Sequence, residues 1–138
     1  MGERRQAREF ALQVMYSIES SGMSAIEALR LFWGLNECNA SAETKSFTED
    51  LVCGTADKLS EIDAVIGNHS TNWKISRMSA VDRNIMRMAI YELHFCPDIP
   101  ARVTLNEAIE IAKQYGTEES SAFVNGILDR VAKELNKE

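Results

Sequence analysis

Two arginines and a tyrosine near the start of the chain are spaced so that they could act together on a polyanion. Arg5, Arg8, Leu12 and Tyr16 follow one another at steps of three and four, which places them along one side of an α-helix. An arginine pair beside an exposed ring is suited to a phosphate contact with a stacked base next to it. The same pattern is typical of a solvated helix face, where long side chains lie over the edge of the core. Spacing alone favours the solvated face.

No set of residues in the sequence has the spacing of a catalytic or cofactor site. Glycine-rich phosphate loops, dinucleotide fingerprints and nucleophile elbows are absent. His94 and Cys96 lack a second ligand pair for a metal and an orienting acid for a nucleophile. The acidic residues of 42–66 come without a histidine cluster, so we expect a solvated face there. We therefore expect neither catalysis nor a bound metal or cofactor.

The composition is that of one ordinary globular domain. The chain has 138 residues, 45% of them hydrophobic and 26% charged, which is enough apolar material for a core. It contains no apolar run that could span a bilayer and no secretory signal, so we expect a cytoplasmic protein with no membrane contact. Cys38, Cys53 and Cys96 are odd in number and far apart, and we expect reduced thiols.

The charge distribution excludes a surface that is basic throughout but allows a local cationic contact. The net charge is −6, which argues against generic nucleic-acid binding. Residues 9–69 include ten acidic and three basic side chains. Before that stretch, Arg4, Arg5 and Arg8 stand against Glu3 alone, and from residue 70 onward the two signs nearly balance. Such a protein could hold RNA locally while its remaining surface stays solvated.

Residues 81–93 predict the central helix of an all-α fold. Apolar side chains fill more than half of its circumference, which is typical of a helix packed between other elements. Ser79 and Asp82 suit an N-cap with an acid in the first turn. Glu92 falls inside the apolar arc, so its carboxylate needs a partner, which we expect to be a neighbouring helix N-terminus or an arginine. The two arginines of this helix are expected on its one free edge.

Helical spacing and capping residues predict the other helices, and no strand-like alternation appears. Capping boxes are expected at Ser24 with Glu27 and at Thr104 with Glu107, and single caps at Ser41 and Thr117. Gly54 would kink the third helix or allow a close approach of another backbone. The predicted helices cover about 4–20, 25–33, 42–66 and 105–115 and a last one after Thr117, with a loop at 35–40 and a linker at 67–76.

Three segments together resemble the NusB family of bacterial transcription antitermination factors. They are RRQAREFALQVMYS near the start, AVDRNIMRMAIYEL in the centre and VTLNEAIEIAKQYGTEESSAFVNGILDRV near the end. The resemblance covers nearly the whole chain in the right order. Its most specific part is NEAIEIAKQYG followed by FVNGILD.

The resemblance implies a fold, a function and partners. It implies one all-α domain over 1–138, built as two small packed bundles of about six to seven helices, at about 1–68 and 72–138. The implied function is transcription antitermination without catalysis, through boxA-type single-stranded RNA bound together with the small-subunit ribosomal protein NusE. RNA polymerase and other Nus factors would be indirect partners, notably in ribosomal RNA operons.

The resemblance also assigns roles to residues of this sequence. Gln6 and Ala122 depart from the family pattern by removing positive charge, so we expect weak RNA affinity without the protein partner. The implied RNA contacts are Arg4, Arg5, Arg8, Glu119 and Phe123, and the implied contacts to the protein partner are Tyr16 and Asp82.

Two other classes of protein remain as alternatives. A related fold serves as the N-terminal RNA-binding domain of certain ribosomal RNA cytosine methyltransferases. That alternative requires a cofactor-binding domain with a Gly-rich loop and a cysteine nucleophile, which the 138 residues do not contain. The other is a helical protein that only dimerises, which broad exposed apolar patches would favour. A homodimer is also compatible with the leading hypothesis.

Overall fold

All regular structure in residues 2–35, 40–70 and 73–137, the parts of the chain described by the computed structural model, is helical. The all-α prediction is therefore confirmed. None of the described helices has the length and apolarity needed to cross a membrane. The elements are α1 (Glu3–Ser21), α2 (Ala25–Leu35), α3 (Ala42–Asp57), α4 (Leu59–His69), a 3-10 helix (Ile75–Arg77), α5 (Ala80–Phe95), α6 (Ala101–Tyr115) and α7 (Ser120–Leu135).

The first of two compact units, Met1–Asp57, is a bundle of α1, α2 and α3. Helix α1 packs against both of the others. The apolar positions of α1 recur at helical spacing, so one face can be withdrawn from water while the other stays polar. Core residues Ala7, Ala11, Val14 and Leu51 are each at most 1% exposed.

The second unit, Lys58–Glu138, is built around α5. This helix contacts α4, α6 and α7, as expected for a helix that is apolar on most sides. The sequence placed the subdomain boundary at about 68–72, whereas the structure places it between Asp57 and Lys58. The difference arises because α4 packs on α5 and α7.

Both ends of α5 hold polar groups as the sequence predicted. Ser79 Oγ accepts a hydrogen bond from the Asp82 amide at 3.1 Å, which confirms the N-cap. Glu92 is 2% exposed, and its Oε1 accepts from the Thr104 hydroxyl of α6 at 2.9 Å. A buried carboxylate is thus paired, as its burial requires.

The prediction that the two arginines of α5 lie on a free edge of the helix is wrong. Arg83 Nη1 donates to the carbonyls of Ile75 and Met78 at 2.9 and 2.7 Å. Arg87 forms a two-pronged pair with Asp63 of α4, with Nε···Oδ1 at 2.8 Å and Nη2···Oδ2 at 2.9 Å. Polarity alone does not distinguish a solvated arginine from one that joins neighbouring elements.

The predicted single helix over 42–66 is also wrong. The helix runs through Gly54 without ending, and the break comes at Lys58, whose φ of −105° and ψ of 18° depart from helical values. It separates α3 from α4, which belong to different units. The predicted kink at Gly54 is therefore not where the helix is interrupted.

Two predicted helix starts are wrong for a common reason. Helix α6 begins at Ala101, so Thr104 lies inside it and gives its hydroxyl to Glu92 rather than to a capping box. Helix α7 begins at Ser120, because residues 117–119 form a turn in which Ser120 Oγ accepts from the Thr117 amide at 2.9 Å. In both places a tertiary or turn contact takes the group that a cap would have used.

Two other predicted caps are confirmed. The Ser24 amide donates to Glu27 Oε1 at 3.1 Å, and the Glu27 amide donates to Ser24 Oγ at 3.2 Å. The hydrogen bond from the Ser24 backbone amide lowers the pKa of the Glu27 carboxyl most, and the Ser24 side chain lowers it further. Ser41 Oγ accepts from the Thr44 amide at 3.1 Å. The predicted loop at 35–40 and linker at 67–76 lie partly outside the described residues, as does Cys38.

Candidate nucleic-acid and partner interface

The cationic start of α1 is held against α3 inside the first unit. The Ser41 hydroxyl donates to Glu3 Oε1. The guanidinium of Arg4 lies 4.4 Å from the centroid of the Phe47 ring, and that of Arg8 lies 5.3 Å from the same centroid. Both distances are within the range of a cation–π interaction. One ring therefore positions two of the three arginines assigned to RNA.

The three arginines differ in what they can offer a ligand. Arg4 is exposed and Arg5 is partly exposed, but Arg8 is only 4% exposed. Leu12 is buried as well, while Tyr16 is 51% exposed. The predicted stripe along α1 is therefore interrupted in its middle, and neither a continuous solvated face nor a continuous arginine–tyrosine contact surface is present.

A groove in the second unit brings the other assigned residues together. It encloses about 260 Å³ at the starts of α5 and α7, beside the 3-10 helix. Glu119 and Phe123, assigned to RNA, share it with Asp82, assigned to the protein partner. The residues lining the groove are Trp73, Arg77, Met78, Ser79, Asp82, Thr117, Glu119, Ser120 and Phe123.

The local sequence explains the wall that α7 contributes. Gly116 ends α6, and a Cβ at this position would lie 2.6 Å from Ser120 Cβ and 2.8 Å from the Ala112 carbonyl oxygen. Only glycine fits this close approach. The turn from Thr117 to Ser120 can then close, which places Glu119 and Phe123 among the residues that line the groove.

The groove is aromatic and acidic. Trp73 is 54% exposed and Phe123 is half-buried. Arg77 is the one cation among its described lining residues, against the carboxylates of Asp82 and Glu119. Asp82 Oδ1 is buried and has no hydrogen-bond partner among the residues that the structure describes. Such a surface suits a flat ring or a basic side chain better than a phosphate group.

Trp73 and Arg77 were missed at the sequence level. Trp73 lies in the stretch predicted as a linker and Arg77 directly follows it, where neither helical periodicity nor a cap gives a side chain a direction. The available signal was compositional, because a tryptophan is unusual in a mostly polar segment such as N-W-K-I-S-R that is expected to be a loop.

Two groups of types used in catalysis, the thiol of Cys53 and the imidazole of His94, have shifted pKa values. Partial burial raises the pKa of the Cys53 thiol, and the negative charges of Glu49 and Asp50 raise it further. The raised pKa disfavours the thiolate that a nucleophile needs. Partial burial lowers the pKa of His94, and Lys137 lowers it further. Within the described ranges no three His, Cys, Asp or Glu side chains are grouped to hold a metal ion.

Known proteins are similar to this chain along nearly its whole length. The sequence profile described as NusB family matches residues 5–133. This chain belongs to the NusB family. "Transcription antitermination protein NusB" from Myxococcus xanthus is 48% identical over 99% of both chains. The protein of the same name from Geobacter sulfurreducens is 50% identical over 98% of this chain and 97% of its own.

Solved structures of the family share the fold. A structure described as "T. maritima NusB" superposes with a TM-score of 0.87 at 42% identity, over 95% of this chain and 91% of its own. A second, described as antitermination factors NusB and NusE in complex with dsRNA, has a TM-score of 0.87 at 25% identity, over 96% and 97% of the two chains. The seven residue assignments remain predictions for this member of the family.

Proposed function

We propose that this chain is a non-catalytic, cytoplasmic transcription antitermination factor that binds boxA-type RNA together with the ribosomal protein NusE. It would act on elongating RNA polymerase with the other Nus factors, notably in ribosomal RNA operons. The observation that carries the proposal is identity of about half to antitermination proteins along almost the whole of both chains. A family structure with NusE and RNA adds support for the joint mode of binding.

On the RNA side, the exposed members of the assigned set are the contacts we propose. Arg4 and Arg5 can reach phosphates, and the Phe123 ring in the groove can stack on a base. Glu119 is exposed beside Phe123, so its carboxylate would place a negative charge close to the bound RNA. Arg8 contributes differently: it is packed on Phe47 and would position the start of α1 rather than touch RNA.

On the protein side, Asp82 and Tyr16 are the proposed contacts to NusE. Asp82 shares its groove with Glu119 and Phe123, so a partner bound there would lie next to RNA. Adjacent sites of this kind let each ligand raise the affinity for the other. Replacing Asp82 by arginine should weaken NusE binding through charge mismatch while the melting temperature is retained, which calorimetry and thermal melts can measure. Unchanged NusE affinity would remove Asp82 from the interface.

The test of the function is a fluorescence or gel-shift titration with boxA-type RNA, with and without NusE. We expect weak binding by the chain alone and tighter binding by the complex with NusE, with a scrambled RNA of equal length as control. Equal affinity for the two RNAs would contradict recognition of boxA. No RNA binding by the complex would contradict the function itself.

The methyltransferase alternative has no observation in its favour. The relatives from Myxococcus xanthus and Geobacter sulfurreducens are antitermination proteins of which 99% and 97% are covered, so these two have no additional large domain. A homodimer stays a prediction. Helix α2 exposes Ile26, Leu31 and Leu35, and sedimentation analysis would show whether copies of the chain associate.

A further inference from the structure

We propose that Trp73 is a second aromatic contact for RNA, and that the groove holds one unpaired base against the Trp73 and Phe123 rings. This inference rests on the function proposed above and extends it to a residue that neither spacing nor resemblance assigned. It also specifies the form of RNA that fits, since only a base free of pairing and stacking can present its face to a protein ring.

The exposure of Trp73 is the first observation. The indole is 54% exposed although tryptophan is usually well buried, and it lies at the edge of a concave surface. Phe123 lines the same groove and keeps part of its ring accessible. Exposed aromatic rings that converge on a groove are the usual means of holding single-stranded nucleic acid, because every base has a face that can stack.

The charges around the groove favour a base over a phosphate. Asp82 and Glu119 are acceptor-only carboxylates that would repel the RNA backbone. Arg77 is exposed and is the single cation among the described lining residues, so the backbone can pass on its side. The groove's volume of about 260 Å³ leaves room for one aromatic ring system but not for a helix.

Fluorescence can isolate Trp73, because the chain has only two tryptophans. Trp33 lies in the first unit, where it packs against Phe10 and Phe32 and donates to Glu49. The W33F variant, assembled with NusE, therefore reports on Trp73. Emission of the complex containing the W33F/W73F double variant is subtracted as background. We expect boxA-type RNA to quench Trp73, with saturation at the concentration at which the gel shift of the same complex saturates.

Affinity provides the second readout. W73A should weaken RNA binding by the NusE complex about tenfold, whereas W73F should keep most of the affinity because a ring remains. The melting temperature of W73A should stay close to that of the natural chain, since the side chain is more than half exposed. L35A is the matched control: it removes a side chain that is 74% exposed, from the first unit, and should leave RNA affinity unchanged.

Two outcomes would overturn the inference while the proposed function stands. One is normal RNA binding in the gel shift with unchanged Trp73 emission and unchanged affinity of W73A. The other is a full change of Trp73 emission on adding NusE alone, with no further change on adding RNA, which would assign this ring to the protein partner. Failure of the unmodified complex to bind RNA at all would overturn both proposals.

Discussion

A guanidinium can serve an RNA-binding surface by touching a phosphate or by holding the residues that do so. Arg4 and Arg8 lie over the same ring of Phe47, yet one is exposed and the other is 4% exposed. Identical residue types in one short basic run therefore differ in how accessible they are to a ligand. The distinction depends on where Phe47 of α3 comes to lie, 39 residues beyond Arg8 in the chain.

Substitution of the two arginines should separate these duties. We expect Arg4→Ala to weaken RNA binding and to reduce the log–log salt slope by about 0.7 for a lost phosphate contact, with little change in stability. Arg8→Ala removes buried packing, so it should lower the free energy of unfolding by about 1–3 kcal/mol. Salt-dependent titrations and denaturant melts measure both. An Arg8→Ala variant with normal stability and lost RNA affinity would make Arg8 a contact.

Phe123 and its neighbour Val124 should also respond in opposite ways. Phe123 is half-buried at the groove, so Phe123→Ala should cost about tenfold in RNA affinity and leave most of the thermal stability. Val124 is 0% exposed, and Val124→Ala should cost about 2–3 kcal/mol of stability with little effect on RNA binding by folded protein. A Phe123→Ala variant that loses stability but binds RNA normally would place this ring in the core.

At the scale of elements, the C-terminal end of α5 is closed by a side chain from beyond α7. Asn136 adopts the left-handed conformation, with φ of 57°, and ends α7. Lys137 Nζ then donates to the carbonyls of Glu92, Leu93 and Cys96, each at 3.1 Å. A cation at this position adds a donor to carbonyls at the end of the helix, of which that of Glu92 also accepts from the Cys96 amide, and it complements the helix dipole.

Loss of this cap should be measurable. Lys137→Met should lower the free energy of unfolding by about 1–2 kcal/mol, since three charge-assisted bonds and a favourable dipole interaction are removed. Lys133→Met is the matched control, because Lys133 is exposed and pairs with Asp129 across one turn. We expect about 0.5 kcal/mol or less for the control. Equal effects of the two substitutions in denaturant melts would show that Lys137 does not act as a cap.

His94, near the same end of α5, should make the stability of the fold depend on pH. Partial burial, and then Lys137, lowers the pKa of His94 from its usual 6.5, with Glu61 acting in the opposite direction. Well above pH 6.5, His94 is neutral in both the folded and the unfolded chain. As the pH falls through 6.5, His94 of the unfolded chain takes up a proton before His94 of the folded chain does. Stability should therefore fall between 6.5 and the lowered folded pKa. Lys137→Met should raise the His94 pKa, as followed by NMR titration; an unchanged pKa would exclude the lysine as a cause.

Helix ends show what short-range patterns can and cannot predict. The reciprocal bonds of Ser24 and Glu27 and the cap at Ser79 need only neighbours in sequence, and both were predicted correctly. Thr104 has the same local signature but bonds to Glu92, whose position depends on the packing of α5 against α6. The interruption at Lys58 likewise has no glycine or proline to mark it, because it follows from packing of α4 in the second unit.

At the scale of the whole molecule, a net charge of −6 limits how RNA can be held. The exposed or partly exposed arginines placed near the proposed contacts are Arg4, Arg5 and Arg77. Family resemblance pointed to the first two, and the groove's aromatic residues were recognised only in part, since Trp73 has no periodic neighbours. Local cations in an acidic chain favour short-range contacts over steering by the whole surface.

A shallow salt dependence should follow. Three phosphate contacts on single-stranded RNA give a log–log slope of about −2, and we expect no steeper value for the chain without NusE. Titrations between low and moderate salt would measure it. A slope near −5 would require several more phosphate contacts than these arginines provide, and would show that other basic residues take part.

Because Arg4 and Arg8 both lie over the Phe47 ring, substitutions of these three residues should not act independently of one another. If Phe47 holds both guanidiniums in place, then a Phe47→Leu background should already have lost most of what Arg4→Ala or Arg8→Ala removes. Effects on stability and RNA affinity should accordingly fail to add, as double-mutant cycles measure for residues with a shared partner. A change in α3, at a side chain that RNA need never touch, can therefore alter or mask the phenotype of an arginine in α1.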